Sequence, residues 1–139
     1  MKLLTKNTDY AIRALIVLAK NKSKYLSVLE IAKQQNMPYE YLRKVLRVLI
    51  KKKLVKSKSG SNGGFKINIR PENISVIDII NIFQGDIELS DCMFRKKICE
   101  NRKSCVLRKN IKRIEKVVEK EFKDITVAGL LNDIEKRRN

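Results

Sequence analysis

Histidine is absent from the 139 residues. No P-loop and no G-x-S-x-G elbow stands in for it, so the common acid–base and nucleophile constellations are missing and the chain does not read as an enzyme. Long apolar runs are absent too. The longest are only a few residues, far below the ~20 that cross a bilayer, and Met1–Asn7 lack the apolar core of a signal peptide. The expectation is a cytoplasmic chain with no membrane partner and with reduced thiols. Aromatic residues make up only 6%; with no cluster of them and no RNP-like strand, RNA stacking is disfavoured. Neither an internal repeat nor a low-complexity linker is seen.

What is abundant is positive charge. Lys and Arg number 32 against 15 acidic residues, a formal net charge of +17. With no histidine, that charge does not depend on any titration near neutrality. Such a surplus favours a polyanionic partner, since neutralised phosphates release condensed counterions. Hydrophobic residues at 43% suffice for a core, and the length suits about one domain at roughly 150 residues per domain.

The pattern predicts a mainly α fold with a small β-hairpin. Asn7 or Thr8 can cap a first helix to about Lys20, with Ala11, Leu15 and Leu18 on one face. Ser27-Val28-Leu29-Glu30 has the form of a capping box opening a second, short helix. Asn36-Met37-Pro38 interrupts it, and a third helix starts at Pro38, with Tyr41, Leu42, Val45, Leu46 and Leu49 forming a buried stripe. Leu54–Lys58 and Phe65–Ile69 alternate around a Gly/Asn/Ser loop and read as a hairpin. Ser75 caps a helix through Phe83, with Gly85 as its stop. A long helix from about Cys105 to 123 carries Leu107, Ile111, Ile114 and Val118 at alternating four- and three-residue steps, and Thr126 caps a last short helix. That seam is wider than packing on one small domain requires and predicts pairing with a second copy.

Residues 27–52 thus form a short helix, a tight turn and a longer basic helix, the arrangement in which the second helix enters the major groove. Between Tyr41 and Pro71 stand ten basic residues and no acidic one. A charged helix face alone is usually solvation, but a basic hairpin with Gly60, Gly63 and Gly64 at its tip follows directly, and these glycines permit close approach to a phosphate backbone. The candidate DNA contacts are Tyr39, Glu40, Arg43, Lys44 and Arg47 on the helix and Lys56, Lys58, Ser59, Ser61 and Asn62 on the wing.

Three cysteines fall in one window, Cys92, Cys99 and Cys105, among Arg95, Lys96, Lys97, Arg102 and Lys103. Their odd number argues against a disulfide framework, and the absence of a C-x2-4-C knuckle argues against structural zinc. The open spacing suits an iron–sulfur cluster; three unligated thiols fit the spacing equally well.

Leu4–Leu15, Pro38–Leu46, Gly60–Phe65 and the cysteine window, in that order, resemble the opening helix, recognition helix, wing and cluster loop of a bacterial family of small winged-helix regulators typified by IscR and NsrR, with CymR a cluster-free relative. The resemblance covers nearly the whole chain. It implies a dimeric regulator, a repressor in the favoured reading, whose bound cluster sets its affinity for a palindromic operator in double-stranded DNA. The signal would be redox state, nitric oxide or iron–sulfur supply. The cluster would be 4Fe–4S, with 2Fe–2S the alternative, on Cys92, Cys99 and Cys105. IscR-like members take a fourth ligand from a histidine just after the third cysteine, which this chain lacks; NsrR-like members use an aspartate of the first helix, and Asp9 stands there. Ser59 replaces an arginine that relatives often carry at the wing. The implied layout is a winged helix-turn-helix unit over 1–85, a cluster loop over 86–104, and a dimerisation helix with a C-terminal helix over 105–139. The class-different alternative is a cluster-free winged-helix regulator answering to a partner protein or to thiol oxidation.

Overall fold

The computed structural model describes residues 2–90 and 104–138. Its first helix, α1 (Lys6–Lys20), opens two or three residues earlier than a cap at Asn7 or Thr8 would place it. Thr5 Oγ1 is the cap, accepting the Thr8 N–H. Thr8 is fully buried instead, and its hydroxyl donates to Gln84 Oε1 at 2.6 Å. Gln84 Oε1 also accepts the Thr5 N–H, while its amide donates to the Leu3 carbonyl. The side chain that would have capped the helix is engaged across the core, so capping passes to the hydroxyl three residues before it.

Helix α2 (Val28–Gln35) begins at Ser27, whose Oγ accepts the Glu30 N–H. It stops at Asn36, held at φ 52, where the Met37 N–H closes onto the Ala32 carbonyl. A short polar side chain tolerates this left-handed stop. Helix α3 (Tyr39–Lys51) follows with Pro38 at its N-cap and buries Leu42, Val45, Leu46 and Leu49. Ala32 and Met37 lie under it in the same core. Fully burying each such Leu or Val contributes roughly 1.5–3 kcal/mol, and the apolar spacing fixes which face of α3 stays outside.

The wing is β1 (Val55–Lys58) paired antiparallel with β2 (Gly64–Ile67), in the register Val55–Ile67, Lys56–Lys66, Ser57–Phe65, Lys58–Gly64. Both strands are shorter than the alternation suggests. Leu54 turns its N–H to the Leu49 carbonyl, so only the Asn68 N–H, donating to the Leu54 carbonyl, carries the ladder past Ile67, while the Asn68 side chain caps the Lys53 carbonyl. Phe65 and Leu26 exchange both backbone hydrogen bonds, at 2.7 and 2.9 Å, which moors the wing to the segment before α2.

A 3-10 turn (Pro71–Asn73) leads to α4 (Val76–Phe83). Here the two-way capping box forms: Ser75 Oγ accepts the Asp78 N–H and the Asp78 carboxylate accepts the Ser75 N–H. Gly85, at φ +82, turns the chain after Gln84. Helix α5 (Val106–Asp124) packs on α4 and α6 (Val127–Arg138) packs along α1. Their junction is stitched to the start of α4 by Val76 N–H to the Ile125 carbonyl and Val127 N–H to the Ile74 carbonyl. Thr126 caps α6 through the Gly129 N–H. Val127 is fully buried in the same core as α1–α4. No described helix is long and apolar enough to cross a membrane.

Candidate nucleic-acid interface

The face of α3 opposite its buried stripe carries Glu40, Arg43, Lys44, Arg47 and Lys51, all exposed, with Tyr39 exposed at its first turn. Glu40 and Arg43 approach only to 3.9 Å and both are open to solvent; such pairs are worth little, so Arg43 can be given up to another acceptor. Among the described residues Lys44, Arg47 and Lys51 have no ion-pair partner. The N-terminal half of α3 is braced from α1: the Tyr41 ring meets Tyr10 edge-on at 5.0 Å, and Lys6 Nζ lies 5.4 Å from Tyr41 and 5.7 Å from Tyr10. That end of the helix, where base edges are reached in a helix-turn-helix, is held by an aromatic pair and a cation rather than by apolar packing alone.

On the wing, Lys56, Lys58, Ser59, Ser61 and Asn62 are all exposed. The tip turns through Gly60 at φ +105, with the Gly63 N–H donating to its carbonyl. A Cβ at Gly63 would collide with the Lys58 carbonyl, so glycine is required there. Leu54 and Val55 sit in the core beneath α3, which joins the wing root and the reading helix through one packed interior. The fold therefore presents the ten candidates on α3 and on the first strand and tip of the wing that follows it.

Two residues at this face escaped the sequence reading. Lys66 stands across from Lys56, and the Tyr25 ring lies 5.8 Å from Lys58 Nζ and 5.4 Å from Lys66 Nζ. The signal for Tyr25 is faint: an apolar Tyr25-Leu26 pair just ahead of a helix cap, too short to read as a strand.

Of the proposed metal ligands, Cys92 and Cys99 lie outside the described residues. Cys105 is half-buried at the N-cap of α5, its sulfur accepting the Arg108 N–H at 3.4 Å. Asp9 sits in the first turn of α1, half-exposed, with Oδ2 2.9 Å from Arg13 Nε. No group of three His, Cys, Asp or Glu side chains gathers among the described residues. On α5, Leu107 and Ile114 are exposed, whereas Ile111 and Val118 are half-buried and Val118 packs on the core. Val117, not singled out by the heptad steps, is 51% exposed beside them.

A short helix, a tight turn, a basic helix and a glycine-tipped wing on one core define a winged helix-turn-helix DNA-binding protein. Residues 4–133 match the Rrf2 family, described as an iron-dependent transcriptional regulator, and the chain belongs to that family: it is a transcriptional regulator, not an enzyme. Its fold is that of T. potens IscR, with a TM-score of 0.80, 26% identity, and coverage of 100% of this chain and 92% of that one. CymR, the global cysteine regulator of B. subtilis, superposes at a TM-score of 0.79 with 26% identity, covering 95% of this chain and 98% of that one. The regulator NsrR of Shouchella clausii is 34% identical over 94 residues, 67% of this chain and 63% of that protein.

Proposed function

We propose that this regulator is a dimeric repressor whose affinity for a palindromic operator is set by an iron–sulfur cluster held by Cys92, Cys99, Cys105 and Asp9. The observation that carries the reading is the position of Cys105. It caps α5 directly ahead of the exposed apolar stripe of Leu107, Ile114 and Val117, so a ligand set built on it is continuous with the surface suited to a second copy. The donor chemistry fits: three soft thiolates suit iron, and a carboxylate is the harder, weaker fourth donor. Among the described residues Asp9 is held only by a surface pair with Arg13, an interaction worth little and easily exchanged. When bound, the cluster supplies an iron that oxidants or nitric oxide can attack. The favoured nuclearity is 4Fe–4S, with 2Fe–2S the alternative.

In this reading residues 1–85 are the DNA-binding unit, 86–104 the cluster loop and 105–139 the dimerisation and C-terminal helices, and the protein works in the cytoplasm. The α3 residues Tyr39, Glu40, Arg43, Lys44 and Arg47 enter the major groove, while Lys56, Lys58, Ser59, Ser61 and Asn62 follow the adjoining backbone. Two copies joined along α5 set two recognition helices one helical turn, or a multiple, apart. The second reading, a cluster-free regulator answering to a partner protein or to thiol oxidation, is favoured by the likeness to CymR. Selection of operator fragments from genomic DNA, followed by affinity measurements on anaerobic and on iron-stripped protein, separates the two. Cluster control predicts that stripping changes operator affinity; equal affinity with and without iron leaves the thiol or partner reading.

A further inference from the structure

The wing has two faces. Val55 and Ile67 are buried and Phe65 packs on the core. Alternation along the strands puts Lys56, Lys58 and Lys66 together on the opposite face. Lys56 and Lys66 are direct cross-strand partners, and like charges so placed repel. None of the three has an ion-pair partner among the described residues. What meets Lys58 and Lys66 is the Tyr25 ring, 5.8 Å from Lys58 Nζ and 5.4 Å from Lys66 Nζ. The ring is fixed relative to the wing because its neighbour Leu26 exchanges two backbone hydrogen bonds with Phe65, the residue next to Lys66.

Building on the DNA-binding reading, we propose that Tyr25 is a positioning residue of the DNA interface: its ring gathers the Lys58 and Lys66 ammonium groups on the outer face of the wing, where they engage phosphates flanking the groove read by α3. An aromatic face attracts a cation through its quadrupole without neutralising it. The lysines are thereby ordered yet keep their full charge for a phosphate. A carboxylate in the same place would order them and cancel that charge. Less side-chain freedom is then lost when DNA arrives, which is how a pre-organised contact gains affinity.

The test uses the full-length chain and a random-sequence duplex of about three helical turns, because phosphate contacts are independent of sequence. Tyr25→Leu is expected to weaken binding roughly five-fold, the size of one or two exposed cation–π contacts, and Tyr25→Phe, which keeps the ring, to restore it. Lys66→Gln should flatten the dependence of log affinity on log salt by about 0.9, the loss of one phosphate contact. In a chain carrying both Lys58→Gln and Lys66→Gln, Tyr25→Leu should cost nothing further. A penalty of equal size in that background would make Tyr25 a structural residue and overturn the proposal, as would a Tyr25→Phe protein no better than Tyr25→Leu. Wild-type affinity in Tyr25→Leu would overturn it while leaving the regulator reading intact. A wild-type chain that does not bind the duplex would overturn both.

Discussion

Glu115 Oε1 accepts the backbone N–H of Leu89 at 3.0 Å, tying the chain just ahead of the cysteine window to the middle of α5. Glu115 is 4% exposed and its other oxygen meets Lys112 Nζ at 2.8 Å. Removing the carboxylate leaves a partly buried N–H unpaired, which costs about 1–3 kcal/mol. Glu115→Ala should therefore lower the urea midpoint clearly. Glu115→Gln, which keeps an acceptor, should lower it less, and Lys112→Ala least, because Lys112 is about half exposed. Equal midpoints for Glu115→Ala and wild type would remove this tie from the forces holding the segment.

Within α3, Arg43 lies in the first half of the helix and Lys51 is its last residue. Base edges are reached from the N-terminal part. Arg43→Ala should relax discrimination at one operator position by roughly 1–3 kcal/mol, and Lys51→Ala should weaken all sequences about equally. A randomised operator library bound with unchanged preference by both variants would mean that α3 docks differently.

Much of this interface was legible because its signals are local. The period of Leu42, Val45, Leu46 and Leu49 fixes the outer face of α3, and glycines around Ser61-Asn62 mark the wing tip. What stayed hidden depends on partners far away in the chain. Thr8 reads as a cap until Gln84, 76 residues on, takes its hydroxyl. Tyr25 and Lys66 meet only because Leu26 pairs with Phe65, and Glu115 looks like one more solvated charge on a basic helix until Leu89 is placed against it. Period alone marks the α5 stripe, so it includes Val118, which the core also claims, and passes over Val117.

Ile114 is 42% exposed on α5, so a lysine there is tolerated within one protomer but places a charge at the proposed seam, where an unpaired buried charge is strongly unfavourable. Ile114→Lys should scatter light as a monomer at micromolar concentration with its circular dichroism unchanged. A dimer of undiminished stability would move the interface off this stripe.

For Asp9, the two roles separate by spectroscopy. As a surface partner of Arg13, its loss costs at most a small fall in Tm. As the fourth ligand, Asp9→Ala purified without oxygen should show an altered visible spectrum and faster loss of iron on exposure to nitric oxide. An unchanged spectrum and rate would leave Asp9 as a first-turn aspartate.

Iron and acid-labile sulfide per chain, measured on protein purified without oxygen, test the cluster reading most directly. The expected result is a coloured protein with iron and sulfide in equal, stoichiometric amounts, both strongly reduced in each of Cys92→Ala, Cys99→Ala and Cys105→Ala. Stoichiometric zinc without sulfide, or a colourless metal-free wild type that still binds its operator, would contradict it.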